Sequence, residues 1–218
     1  MILGPGFRTR LAALTVGLLG FGAAVPAAAG TIVLQNDSVV DFGTAIIQAG
    51  FVAGEHGASW LTSTCDGELV AVRILWLSLL GGAPNTLGEA VRISEAGAFP
   101  SPGTQLRELL GPLMQDGGFN EFTLTPAIPV SNGQTIVVSF IFLETPPALG
   151  PSLVTDSDGC QAGRNAIFAS PPNAWFSACL LGVSGDFAIR AVVDCSAAGI
   201  FSDGFESGDT SAWSVTVP

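Results

Sequence analysis

The chain contains no lysine, no tyrosine and a single histidine, His56. Beyond Arg10 its only cations are Arg73, Arg92, Arg107, Arg164 and Arg190, set against 18 carboxylates. So anionic a surface repels phosphate backbones and anionic lipid heads, which counts against nucleic-acid and membrane-surface partners. One histidine leaves no His-rich metal centre and only one base for a Ser-His-Asp or Cys-His mechanism. No GxSxG elbow accompanies it, and in its Gly-rich setting (GEHGASW) it reads as a solvated loop residue. The four cysteines, Cys65, Cys160, Cys179 and Cys195, contain no CxxC pair of the kind that marks a zinc site, so two disulfides are expected instead.

Long apolar runs are also missing. The longest, Leu11 to Val25, has 15 residues, short of the about 20 that a membrane-spanning helix needs. It follows Arg8 and Arg10 and precedes Pro26 and Ala27-Ala28-Ala29. A positive start, a short apolar centre and small exit residues are the parts of a secretory signal, cleaved before Gly30. An uncleaved anchor is the alternative. The organisation read from this is a signal peptide at 1–29, a β domain at 30–195, and a linker with an acidic tail at 196–218. The product would be secreted, extracellular or at the cell surface, with the periplasm also open, and without membrane insertion after cleavage.

Helical periodicity is nearly absent. Only Thr104–Leu110 could make two helical turns, and a strand fits it equally well. Short runs rich in Val, Ile, Phe and Thr alternate instead with Gly, Pro, Asn and Asp, the pattern of an antiparallel β-sandwich. The clearest strands are 68–80, 88–94, 119–125, 135–143, 164–169 and 186–194, with weaker candidates at 31–34, 38–42 and 59–64. Segments 68–80 and 135–143 are apolar on both faces, as central strands are. Residues 164–169 and 174–180 read as a hairpin about Ser170–Asn173, which brings Cys160 to Cys179. A closing strand 186–194 antiparallel to 68–80 brings Cys195 to Cys65.

The order LVAVRILW (Leu69–Trp76), EAVRISEAG (Glu89–Gly97), TDSDGC (Thr155–Cys160), NAWF (Asn173–Phe176) and GDFAIRAVV (Gly185–Val193) resembles a jelly-roll-like accessory domain of secreted bacterial proteins, including adhesin-type modules. The resemblance covers roughly residues 58–195; it implies a noncatalytic β-sandwich and names no ligand. The tail, with Phe201, Asp203-Gly204-Phe205-Glu206, Gly208 and Trp213, resembles a recurrent C-terminal DGFESGDTSAW-type element of exported Gram-negative proteins. That implies an export-linked tag; the opening phrase of a lectin-like sandwich is the other reading.

Few residues carry chemistry. Asp156-Ser157-Asp158-Gly159 places two carboxylates ahead of a glycine turn, a loop that wraps calcium or a plain Asx turn. It is not an EF-hand, since Cys160 follows and no distal Glu closes it. Asp203, Glu206 and Asp209 form a weaker candidate for the same ion. No carboxylate pair built on Glu68, Glu89 or Glu121 stands out as a glycosidase pair. Trp76 and Trp60 read as core, whereas Trp175, near the hairpin tip, is either a sugar platform or a structural plug. No cofactor is required. The reading is a noncatalytic extracellular β-sandwich for adhesion, surface structure or ligand display, its partner a glycan or a surface protein. A carbohydrate-binding module with calcium at Asp156 and Asp158 and sugar at Trp175 is the alternative, and a secreted hydrolase the third.

Overall fold

In the computed structural model, residues 30–195 are described. Their strands are β1 (Gly30–Leu34), β2 (Ile46–Ile47), β3 (His56–Thr62), β4 (Gly67–Leu77), β5 (Thr86–Leu87), β6 (Ala90–Glu95), β7 (Gln105–Leu110), β8 (Leu113–Met114), β9 (Gly118–Val130), β10 (Thr135–Ile141), β11 (Ser152–Thr155), β12 (Asn165–Ala169), β13 (Ala174–Ser177) and β14 (Ile189–Cys195). Among the described residues every strand pair is antiparallel. One sheet runs β1-β14-β4-β11-β2 with β9 also paired to β4, the other runs β13-β12-β3-β10-β6-β7, and β5 and β8 form a small ribbon.

The core lies between the two larger sheets. Along β4 the core-facing residues are Leu69, Val72, Ile74 and Trp76. The odd step from Leu69 to Val72 is possible because the ladder with β9 shifts register between Leu69 and Ala71; such a bulge returns apolar residues to one face. Opposite them stand Val91, Ile93, Ile136, Val138 and Phe140 from β6 and β10. Leu75 points the other way, yet it too is fully buried, with Val39, Val154 and Ala188. The outer face of β4 is thus covered at Leu75 by β11 and by the loop residues Val39 and Ala188, whereas Leu79 and Leu80 beyond the strand are exposed.

Both disulfides form as expected, Cys65–Cys195 and Cys160–Cys179. The hairpin β12–β13 stands where it was anticipated, with Phe168 opposite Trp175. Segment 104–110 is strand β7, paired to β6. Segment 38–42 is not a strand. Asp37 is buried there and accepts from Nε (3.0 Å) and Nη2 (2.5 Å) of Arg190, whose Nη2 also reaches the Val39 carbonyl. Asp41 then caps a short 3-10 turn, accepting from the Gly43 N–H at 2.9 Å. Side-chain bonds to the backbone compete with a ladder at such positions. Residues 1–29, expected to be a signal peptide, and residues 196–218, expected to be a linker and acidic tail, lie outside the described residues.

Candidate functional site

The outward face of the second sheet is set by β-strand alternation. With Leu61 and Phe140 turned to the core, His56, Ala58 and Trp60 of β3 and Ser139 of β10 point outward. Register then fixes rows across the sheet. Trp175, Phe168, His56 and Ile141 form one row, and Ala166, Ala58, Ser139, Arg92 and Glu108 form the next. Ala58 and Ala166 leave a trough, and the Trp175 ring packs into it against Trp60 and Val137. Ring centroids lie 5.5 Å from Trp175 to Phe168, 5.3 Å to His56 and 6.4 Å to Trp60, the last two edge-on. The loop after β6 closes one side: Trp60 Nε1 donates to the Ala96 carbonyl at 2.7 Å, and Phe99 meets the Trp60 ring edge-on at 5.0 Å.

Beside this aromatic wall is a cavity of about 160 Å³ lined by Arg92, Ser94, Pro102, Gly103, Gln105, Ser139 and Trp175. Its floor is polar. Arg92 donates through Nε (2.9 Å) and Nη2 (2.7 Å) to one oxygen of Glu108. Both side chains keep partial solvent access, and among the described residues Arg92 Nη1 and Glu108 Oε2 take no partner. Arg92 lines the cavity and Glu108 does not, so Arg92 Nη1 is the donor offered to a hydroxyl group there. Gln105 and Ser94 add free side-chain polar atoms.

His56 departs from expectation. It lies in β3 rather than in a loop, is 9 % exposed, and contacts the rings of Phe168 and Trp175. Burial lowers its pKa to about 4, with the Arg92 charge adding to the fall and Glu108 opposing it. Its Nδ1 has no hydrogen-bond partner, so no nucleophile–base contact is formed there among the described residues. The Gly-rich flank GEHGAS concealed the strand, because Gly57 turns inward where only a hydrogen fits beneath Leu153 and Phe51.

Asp156 and Asp158 have carboxyls close enough to interact but differ in burial. Asp158 is exposed, whereas Asp156 is buried. The Asp156 carboxylate accepts from the backbone N–H of Asp186 (2.8 Å) and of Ser38 (2.9 Å). Asp186, which the sequence reading passed over, is fully buried and accepts from the Gln161 N–H at 3.0 Å and from the Asn165 side-chain amide at 2.5 Å. Its second oxygen has no partner. Burial raises the pKa of both buried carboxyls. Backbone donors offset part of that rise, and the neighbouring acidic charges add to it. As the side chains lie, no three His, Cys, Asp or Glu among the described residues converge closely enough to hold a metal.

No family model and no curated protein matches the chain. One solved structure shares the fold. It is described as the cysteine protease and lectin-like domains of Cwp84, a surface layer associated protein of Clostridium difficile, with a TM-score of 0.50 and 14% identity. The match covers 76% of this chain and 36% of that one, so this chain spans about a third of its relative's length. At that identity the likeness concerns the fold alone. The chain is a disulfide-bonded antiparallel β-sandwich.

Proposed function

We propose that the chain is a noncatalytic extracellular β-sandwich for adhesion or ligand display, and that its ligand is an uncharged saccharide bound beside Trp175. The observation that carries this reading is the pairing of a half-buried indole with a polar floor (Arg92, Ser94, Gln105, Ser139) in one cavity of about 160 Å³. The aromatic ring offers an apolar surface to a sugar face, and the floor offers donors and an acceptor to its hydroxyls. The volume is below the roughly 300–1,000 Å³ of pockets for drug-sized ligands and suits one sugar ring. The signal-like N-terminal sequence and the two disulfides fit an oxidising, extracellular setting, and the fold is shared with a structure whose description includes a lectin-like domain. Glycan-array binding followed by calorimetry tests the reading. Trp175→Ala is expected to weaken binding at least tenfold with the fold intact by circular dichroism. Absence of binding across neutral glycans, or full binding by the variant, overturns it.

Calcium at Asp156 and Asp158 is a second proposal. It is supported by the unpartnered buried oxygen of Asp186 beside Asp156, and a bound cation would offset the burial and the acidic neighbours that raise the pKa of Asp156 and Asp186.

A further inference from the structure

Strand β1 is an outer strand whose ladder to β14 occupies one edge, and among the described residues its other edge has no backbone partner. Such an edge is a template for a further strand, and its sequence, GTIVL, carries neither the charge nor the proline that blunts exposed edges. A cavity of about 540 Å³ lies along it, lined by the consecutive residues 32–36 together with Thr62, Thr64, Gln161 and Arg164. Alternate side chains of a strand point to opposite faces, so a cavity touching consecutive residues follows the backbone edge itself. The far wall is the end of β3 that β12 leaves uncovered. Strand β12 pairs β3 only from His56 to Ser59, and the Trp60 N–H then takes the Arg164 carbonyl. Thr62 has the same parity as Trp60, so its N–H and C=O face the groove.

The charge in this groove is specific. Asn36 spends its amide donor on the Trp60 carbonyl, and Gln161 spends its own on the Asn36 carbonyl. Arg164 is exposed and has no carboxylate partner among the described residues. It is the one cation lining the cavity.

We propose that this groove docks the chain's own C-terminal segment, residues 196–218, as an added strand beside β1, with an acidic side chain of the segment on Arg164. Strand β14 ends at Cys195 directly opposite Gly30, two residues before Ile32 on the groove wall, so the segment begins close to the groove. At about 3.3 Å per residue, its 23 residues reach several times the length of β1. It has no cation, three carboxylates (Asp203, Glu206, Asp209) and the alternating β-forming run Trp213-Ser214-Val215-Thr216-Val217. Tethering gives it an effective concentration in the millimolar range, which a free peptide would have to exceed.

Hydrogen exchange on the mature full chain tests this. Peptides from the segment are expected to exchange at least tenfold more slowly than an unstructured chain. Arg164→Glu should return them to unstructured rates while β4 and β10 keep their protection. If Arg164→Glu disturbs β4 or β10, Arg164→Gln is read in the same way. Charge reversal at Asp203, Glu206 and Asp209 to Arg, combined with Arg164→Glu, should restore the slow exchange. A wild-type segment at unstructured rates overturns the proposal. So does protection indifferent to both Arg164 variants, and so does protection that disappears on dilution, which would assign the groove to a second copy.

Discussion

At the scale of single residues, burial decides how His56 responds to pH. In the unfolded chain a histidine titrates near 6.5, whereas in the fold this one titrates at about 4. The unfolded state therefore binds the proton first. The stability held by neutral His56 is complete above pH about 6.5 and is lost as pH falls towards 4. The loss is on the order of 3 kcal/mol. His56→Phe keeps an aromatic ring between Phe168 and Trp175 and removes the titration. Urea midpoints of the wild type are expected to fall between pH 7 and 4.5, and those of the variant to fall by clearly less. Parallel curves would place the acid sensitivity elsewhere. The two buried carboxyls act in the opposite sense. Because their pKa values are raised, the stability they contribute when protonated is lost as pH rises through those values. At neutral pH a cation could take the place of that proton. If calcium binds, millimolar calcium raises the wild-type melting temperature, by the equivalent of about 2.7 kcal/mol at a hundredfold excess over Kd, and Asp156→Asn with Asp158→Asn loses the rise. A melting temperature indifferent to calcium and chelator ends that proposal.

At the scale of elements, strands β4 and β14 hold the first sheet together, and their register is pinned at Gly67. A Cβ there would meet the Asp194 carbonyl oxygen and, at 2.9 Å, the Cα of Cys195, both of them backbone that cannot swing aside. Gly67→Ala is expected to cost about 1–3 kcal/mol, as overpacking does, and to raise exchange rates in β14 and β1 before those in β10. Unchanged exchange in β14 would show that the close approach carries no such constraint. Strands such as β4, β10 and β14 were legible in the sequence because their Val and Ile runs exceed what a loop carries. Segment 104–110 was ambiguous because TQLRELL satisfies both periods, and pairing with β6 decides for strand. Segment 38–42 has strand composition, but Asp37 and Asp41 accept from the nearby Val39 and Gly43 N–H groups and Asp37 also from the distant Arg190, and no periodicity reports that. Trp175 was legible as an aromatic near a hairpin tip. Its cavity partners Arg92 and Gln105, 83 and 70 residues away in the chain, meet it only through the order β13-β12-β3-β10-β6-β7. Asp186 stayed hidden for the same reason.

At the scale of the whole molecule, the two disulfides divide the work unequally. Cys65–Cys195 ties the start of β4 to the end of β14 across a sequence separation of 130, whereas Cys160–Cys179 closes a separation of 19 beside the β12–β13 hairpin. Both pairings followed from the chain's order, since a closing strand antiparallel to 68–80 leaves each cysteine one partner. In the chain-entropy account, a cross-link stabilises by restricting the unfolded ensemble, by roughly 3 kcal/mol for the short loop and about 5 kcal/mol for the long one. Net stabilities of domains are about 5–15 kcal/mol, so the long bridge is comparable with the whole margin. It also fixes the end of β14, where Cys195 stands opposite Gly30 of β1, the strand beside which the C-terminal segment is proposed to dock. Replacing Cys65 and Cys195 with serine should therefore lower the urea midpoint more than replacing Cys160 and Cys179, and should also loosen exchange in β1 and β14. The short-bridge variant should confine its effect to residues 156–182. Equal midpoint shifts for the two variants would mean that native strain or residual unfolded structure, rather than loop length, sets what each bridge contributes.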